Sequence, residues 1–398
     1  MSWFAHFTTN GQAHLIDLKS IRFHMVPYYL TLKPSKRLRD CACIWTLLPV
    51  LVLGLAFSVA ATTPGYATSG VPIYPAPGIL DSNFDGSFLE GIPLYVTNIN
   101  ANSVSAVATD SGSAYATIPV GQAPRGIAIS PDSSRLYVAN LESRDVSVIE
   151  TATNTVIKTL PVPGFPRGVA ISPDGKRVYI GDQALNVVFV LDPITIAFVD
   201  YFKVGFGPYG IAVSADGSRV YVANRRADTV SVINTTTNQL VATVPVGSLP
   251  YGIAVTPLNQ LGRPQAQIYV VNFADDSVSV IDAETNQVIA TVPVGALPVW
   301  VAVAPDGSRA YVSNLAGQSL SVIDTATHRV VATIPAGKFP FGVTLNHDGS
   351  RIYVANQLAR HISVIDARSN ALMGTVEVGV GPFAIAAPAD ITQVFSDK

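Results

Sequence analysis

The sequence predicts an all-β protein, a seven-bladed β-propeller of four-stranded antiparallel blades, and three observations carry that prediction. A tetrapeptide, Tyr-Val-Thr-Asn at 95–98, returns in varied form with its tyrosine at Tyr137, Tyr179, Tyr221, Tyr269, Tyr311 and Tyr353. Five of the six steps are 42 residues, and the sixth is 48 because of a short insertion at 258–266. A fixed period of this size marks a propeller, in which each repeat is one blade that buries its faces against its neighbours. Within each period four short runs rich in Val, Ile and Tyr alternate with a period of two between turn residues, and no segment has useful helical length.

The first run of each repeat carries a small residue at its centre: Ala128, Ala170, Ala212, Ala254, Ala302, Thr344 and Ala386. Small side chains suit the crowded axis, while flanking residues such as Ile127, Ile129, Val169 and Ile171 point to the opposite pleat face and pack between blades. The turn into the second run is marked by Asp132, Asp174, Asp216, Asp306 and Asp348, which read as turn formers because they recur once per blade at a hairpin position. In the second complete repeat the four runs are 168–172, 178–181, 187–191 and 194–204. The ends of the array are out of phase: the first repeat begins at its second strand, 94–98, and the last ends on an unpartnered first strand, 383–388. The C-terminal strand is therefore expected to complete the N-terminal blade, close the ring and remove two sheet edges.

These residues resemble the YVTN family of β-propeller repeats, over about 92–390, with the Ser-Val-Ile-Asp element at 279–282, 321–324 and 363–366 and the Pro-Val-Gly element at 119–121, 245–247 and 293–295. The resemblance implies a seven-bladed propeller and a protein of the exported or surface-associated type. It implies architecture more firmly than chemistry. The second complete repeat departs furthest, reading Tyr179-Ile180-Gly181-Asp182 and Val188-Phe189-Val190-Leu191.

Residues 1–67 read as a leader. Lys33, Lys36, Arg37 and Arg39 precede an apolar stretch from about Cys41 to Ala61, followed by Pro64-Gly65 and small residues ending at Ala67, the layout of a secretory signal. The length before Lys33 makes Met25 an alternative start, and an uncleaved membrane anchor is the alternative to cleavage. Either way the expected location is outside the cytoplasm: periplasmic, secreted or at the cell surface. Residues 68–91 read as a linker or strap, and 391–398 as a tail. Both cysteines, Cys41 and Cys43, lie in the leader, so residues 68–398 offer no disulfide, cysteine metal site, thiol nucleophile or Cys-x-x-Cys-His haem attachment. That part of the chain holds 19 basic and 25 acidic residues, a net charge near −6, which argues against general nucleic-acid binding through a basic surface.

Function in a propeller concentrates where loops crowd the axis. The loop entering each first strand has a Pro-x-Gly pattern whose variable residue runs Arg125, Arg167, Tyr209, Tyr251, Val299, Phe341 and Phe383, and Trp300 stands where a glycine is expected. The loop between second and third strands opens on the same face and adds Arg144, Arg225, Arg226, Arg360 and His361, with Glu142, Asp145, Asp228, Asp275 and Asp276 among them. Arginines beside an arc of aromatics suit a small anionic or aromatic molecule, or a peptide or glycan segment. The competing reading makes the aromatics a plug and pairs the arginines with nearby carboxylates.

Chemistry is sparse. Beyond the leader the histidines are His328, His347 and His361, at unrelated phases of the repeat, and no Ser-His-Asp constellation or metal-ligand spacing can be assembled around them. Two readings follow. The preferred one is an exported, non-catalytic binding or scaffold propeller contacting its ligand at Arg125, Arg167, Tyr209, Tyr251, Trp300, Phe341, Phe383, Arg225 and Arg360, with no cofactor or metal. The alternative is a lactonase-like hydrolase or lyase at the same funnel, with Arg125, Arg167 and His361 as candidates to bind an oxyanion or move a proton, and a divalent cation as its cofactor.

Overall fold

In the computed structural model the chain divides into two compact units, residues 1–73 and 74–398. The structure describes residues 4–9, 12–17, 93–109, 111–257 and 266–388, so the proposed signal at 33–67, the strap at 68–91 and the tail at 391–398 lie outside the described residues. In the first unit Phe4–Thr9 pairs antiparallel with Gln12–Asp17. Among the described residues no helix is long and apolar enough to cross a membrane.

The second unit contains seven four-stranded antiparallel sheets. Numbered around the ring, blades 1 to 7 have the inner strands Pro382–Ala386, Pro124–Ile129, Pro166–Ile171, Pro208–Val213, Pro250–Val255, Pro298–Val303 and Pro340–Leu345. Blade 4 shows the plan: Pro208–Val213 is followed outward by Arg219–Asn224, Thr229–Asn234 and Gln239–Pro245. Blade 1 is made from both ends of the array, with the inner strand Pro382–Ala386 against Pro93–Asn98, then Ser103–Ala108 and Ser113–Pro119. The out-of-phase ends thus close the ring as the sequence predicts. The outer strand of blade 3 begins at Ala197, not Ile194, because Asp192 accepts the Ile194 and Thr195 amides and holds that stretch as a turn.

The hydrophobic core is a set of wedges between successive blades. Tyr179, Val188, Val190 and Phe202 of blade 3, for example, pack on Ile211, Val220, Val222 and Ile233 of blade 4. The repeated tyrosine sits in these wedges, and all seven copies are at most 2% exposed. The repeated asparagine has a different task. From the end of each second strand its amide donates to third-strand hydroxyls, as Asn98 does to Ser103 and Ser105 at 3.2 and 2.9 Å, and Asn356 to Ser363 at 2.8 Å. In blade 3 Asp182 and Phe189 replace this pair, and Asp182 accepts the Ala184 and Leu185 amides instead. The turn aspartates behave as expected: Asp174 and Asp216 each accept the backbone amide two residues on, at 3.0 Å.

Close approach at the axis explains the Pro-x-Gly loop. A Cβ on Gly126, Gly168, Gly210 or Gly342 would collide with the carbonyl of Arg167, Tyr209, Tyr251 or Phe383 on the next inner strand. Only glycine allows neighbouring inner strands this near. Two blades lack it, having Trp300 and Ala384 at that position. There a second-strand hydroxyl takes over: Ser313 accepts the Trp300 amide at 3.2 Å and donates to the Phe341 carbonyl, while Thr97 accepts the Ala384 amide at 3.0 Å and donates to the Arg125 carbonyl at 3.1 Å. The corresponding residues in the other blades are Ala139, Gly181, Ala223, Val271 and Ala355, which carry no hydroxyl.

Candidate functional site

The loops entering the inner strands and the loops between second and third strands meet on one face, tied together by backbone hydrogen bonds repeated around the ring. Leu141, Gln183, Arg225, Leu315 and Gln357 donate to the carbonyls of Ala123, Phe165, Gly207, Leu297 and Phe339. Left-handed residues of the second loop then cap the next entering loop: Asn102, Asn186, Asp228 and Asp276 accept the amides of Ala123, Gly207, Leu249 and Leu297 at 2.8–2.9 Å. In blades 2 and 7 arginines, Arg144 and Arg360, occupy this left-handed position. Having no acceptor, they cannot cap, and both are exposed on the face.

These caps decide what the arginines touch. Asp228 and Asp276 are engaged with backbone amides, Asp275 accepts the Ser248 amide at 2.7 Å, and Asp145 accepts the Asn140 side chain at 2.6 Å. The arginines rest on rings. Arg125 lies over Phe383 at 4.8 Å, Arg167 over Tyr209 at 4.7 Å, Arg225 over Tyr251 at 4.7 Å and Arg144 over Phe165 at 4.5 Å. Arg167 also donates from Nε to the Gln183 side chain. Among the described residues no carboxylate forms a salt bridge with Arg125, Arg167 or Arg225. The Nε atoms of Arg125 and Arg225 are buried without a hydrogen-bond partner. Burial lowers the Arg125 pKa and the charge of Arg167 lowers it further, against the opposing influence of Tyr209, Tyr251 and Glu142.

The aromatic arc is continuous. Tyr209 meets Tyr251 at 4.2 Å between ring centroids, Tyr251 stacks on Phe273 at 5.0 Å and meets Phe341 edge-on at 6.4 Å, and Phe341 stacks on Phe383 at 3.8 Å. Tyr209, Phe341, Phe383 and Val299 are buried, and Tyr251 and Trp300 are partly exposed. Phe341 and Phe383 belong to the same core cluster as Val299, Leu141 and Leu315, with Tyr251 and Trp300 packed against it. These rings plug the axial mouth. What remains available on the face is the arginine arc of blades 2 to 4 and the partly exposed edges of Tyr251 and Trp300. Burial raises the Tyr251 phenol, and the nearby Tyr209 adds to the rise while Arg225, Arg167 and Arg125 oppose it.

His361 stands apart from this group. It opens the third strand of blade 7, two strands out from the axis, and its Nδ1 lies 2.9 Å from the Ala359 carbonyl. Burial lowers its pKa, and no described contact joins it to Arg125 or Arg167. Among the described residues no group of three His, Cys, Asp or Glu is arranged to hold a metal ion. The arrangement can hold an anion by charge and by a planar face. The sequence pattern found the arginines and rings but not their partners, which depend on acids 21 residues from the amides they cap.

The fold and this face define a seven-bladed β-propeller whose axial mouth is closed by rings and bordered by arginines. Residues 258–348 match the YNCE-like beta-propeller family, which together with the seven blades supports a YVTN-type propeller. The chain has no match among curated proteins. Among solved structures it is similar to the hydrazine synthase of Kuenenia stuttgartiensis, at 22% identity and TM-score 0.62 over 73% of this chain and 99% of that one. A functionally unknown protein from Desulfotomaculum acetoxidans DSM 771 is similar at 18% identity and TM-score 0.65 over 75% and 99%. Dihydro-heme d1 dehydrogenase NirN, in complex with DHE, is similar at 16% identity and TM-score 0.59 over 78% and 77%. At these identities the likeness is one of fold.

Proposed function

We propose that the propeller is a binding module whose axial face takes an anionic ligand, a small aromatic anion or an acidic peptide or glycan segment. The observation that carries this reading is the set of three arginines on consecutive blades, Arg125, Arg167 and Arg225, held on aromatic rings with no carboxylate ion pair among the described residues. A guanidinium fixed by a ring and left with free donors is preorganised for an incoming carboxylate, phosphate or sulfate. Such a cluster within residues 68–398, whose net charge is near −6, is a local exception that folding alone does not require.

Trp300 is the only tryptophan in residues 68–398, and it packs against the aromatic plug, so its emission reports on this face. Titration with benzoate, 4-hydroxybenzoate, hexaglutamate or an oligouronate is expected to shift that emission for at least one probe. Arg125→Ala and Arg167→Ala should each weaken that probe by about 1.5–3 kcal/mol, the worth of a charge-assisted hydrogen bond, with unchanged circular dichroism. Full affinity in the double variant would place the site elsewhere. Lactone turnover abolished by His361→Ala would replace binding with hydrolysis as the activity.

A further inference from the structure

The face opposite the arginines carries a vacancy in the repeat. Each buried second-strand tyrosine reaches toward the turns of the next blade, where a side chain from the start of its own strand usually covers it. In blade 2 that side chain is Arg135, whose Nη1 donates to the Pro193 carbonyl of blade 3. In blade 6 Arg309 makes the same bond to the Ala367 carbonyl of blade 7 at 3.2 Å, across the same separation of 58 residues. Both guanidinium groups lie beside their tyrosines: burial raises the Tyr137 and Tyr311 phenols, and Arg135 and Arg309 pull them back. Blade 5 uses other groups, with Gln267 and the His328 ring at 3.2 and 3.4 Å from the Tyr269 hydroxyl.

Blade 1 opens its second strand with Pro93, which can supply none of these groups. The corresponding step of 58 residues leads to Thr151. At this place the structure has a cavity of about 300 Å³ whose walls include Pro93, Tyr95, Tyr115, Asp132, Ser133 and Thr151. Tyr95 is fully buried, and its hydroxyl, like those of Tyr137, Tyr179 and Tyr353, lacks a hydrogen-bond partner of good geometry, as does the buried Ser133 hydroxyl. Its phenol is raised by burial and then by the neighbouring Tyr115, with no cation to offset the rise. Burial alone would raise the Asp132 carboxyl, but hydrogen bonds from Ser130 and Ser134, with the nearby Arg135 charge, hold it below the ordinary value, so it is an anion.

We propose that this cavity binds a guanidinium group from another molecule, seated where Arg135 and Arg309 place their own in blades 2 and 6. A planar cation with five N–H donors can meet the Asp132 carboxylate and the Ser133 and Thr151 side chains, while the half-exposed Tyr115 ring and the apolar Pro93, Ile129 and Pro388 receive its flat faces and alkyl stem. The adjoining chain has no such group to offer, since residues 74–92 and 389–398 contain no Arg, and Lys398 is their only cation. The guanidinium belongs to a free alkylguanidine or to an arginine side chain of a second molecule, and two probes separate those sources.

The test uses the full chain with agmatine and N-acetyl-arginine amide as probes, followed by saturation-transfer NMR and calorimetry. Saturable binding is expected for both. Tighter agmatine points to a free alkylguanidine, and tighter acetyl-arginine amide to an arginine side chain. Asp132→Asn should weaken either probe at least tenfold. Pro93→Arg, which restores the arm of blades 2 and 6, should remove binding and raise the unfolding temperature. Absence of saturable binding, equal binding of butylamine, or undiminished binding by Pro93→Arg would each overturn the proposal. Should Pro93→Arg fail to fold, Ala152→Trp fills the same cavity from its other wall, and retained binding in that variant overturns it as well.

Discussion

Ser313 is a small residue with a large positional burden. It is fully buried, accepts the Trp300 amide and donates to the Phe341 carbonyl, satisfying two backbone groups that glycine blades arrange differently. Removing its oxygen leaves both groups buried and unpaired, and each costs on the order of 1–3 kcal/mol. Ser313→Ala is therefore expected to destabilise the propeller by about 2–4 kcal/mol in urea unfolding. Ala355→Ser, at the same position in a blade that keeps its glycine, should bring no comparable gain. A loss below about 0.5 kcal/mol in Ser313→Ala, the scale of ordinary surface substitutions, would show that the strands relax to pair these groups without it. The loss of glycine at Trp300 is visible in the sequence. Its compensation is not, because Ser313 and Phe341 meet only when two blades are docked, and nothing local distinguishes Ser313 from the Ala139 or Ala223 of other repeats. The same limit applies to the arginines: their residue types and face were legible, but whether a guanidinium meets a ring or a carboxylate depends on which acids are already bound to backbone amides.

At the scale of the strand, period and phase were enough to read the architecture, because each tyrosine and turn aspartate repeats a fixed physical task. Blade 3 shows why its boundaries were less legible: Ile194 continues an apolar run, yet it is 84% exposed in a turn set by Asp192. Composition favoured a strand there, and a side-chain-to-backbone hydrogen bond won. The closing strand Pro382–Ala386 makes the more consequential test. It buries Phe383 and Ala384, pairs Tyr95 with Ala386, and supplies the amide that Thr97 accepts. Deleting 381–398 should remove this strand, strip the ring from beneath Arg125 and leave Pro93–Asn98 as an unpaired edge. Loss of the buried phenylalanine alone is worth about 3–5 kcal/mol. Calorimetry of the truncated chain is expected to show a lower, broader transition, and an unchanged one would mean that another segment closes blade 1.

Across the whole molecule, charge is distributed against its own average. Residues 68–398 are mildly acidic, near −6, and the axial face carries Arg125, Arg144, Arg167, Arg225 and Arg360 among Glu142, Asp145, Asp228, Asp275 and Asp276. An approaching anion is drawn to the arginine arc of blades 2 to 4 and repelled by the carboxylates around it, so encounter depends on ionic strength more than the bound contact does. The screening length falls from about 30 Å at 0.01 M salt to about 3 Å at 1 M. For hexaglutamate the association rate is therefore expected to fall at least about tenfold over this range, with little change in dissociation. The arginines should divide between the two rates. Arg360 is exposed on a loop, so Arg360→Ala should slow association and leave dissociation alone. Arg125 is partly buried on Phe383, where solvent screens it less than on a loop, so Arg125→Ala should speed dissociation at every salt concentration. Stopped-flow measurement of Trp300 emission reads both rates in one experiment. An association rate that rises with salt would mean the acidic body dominates the encounter, and the arginine face would then not be where this anion binds.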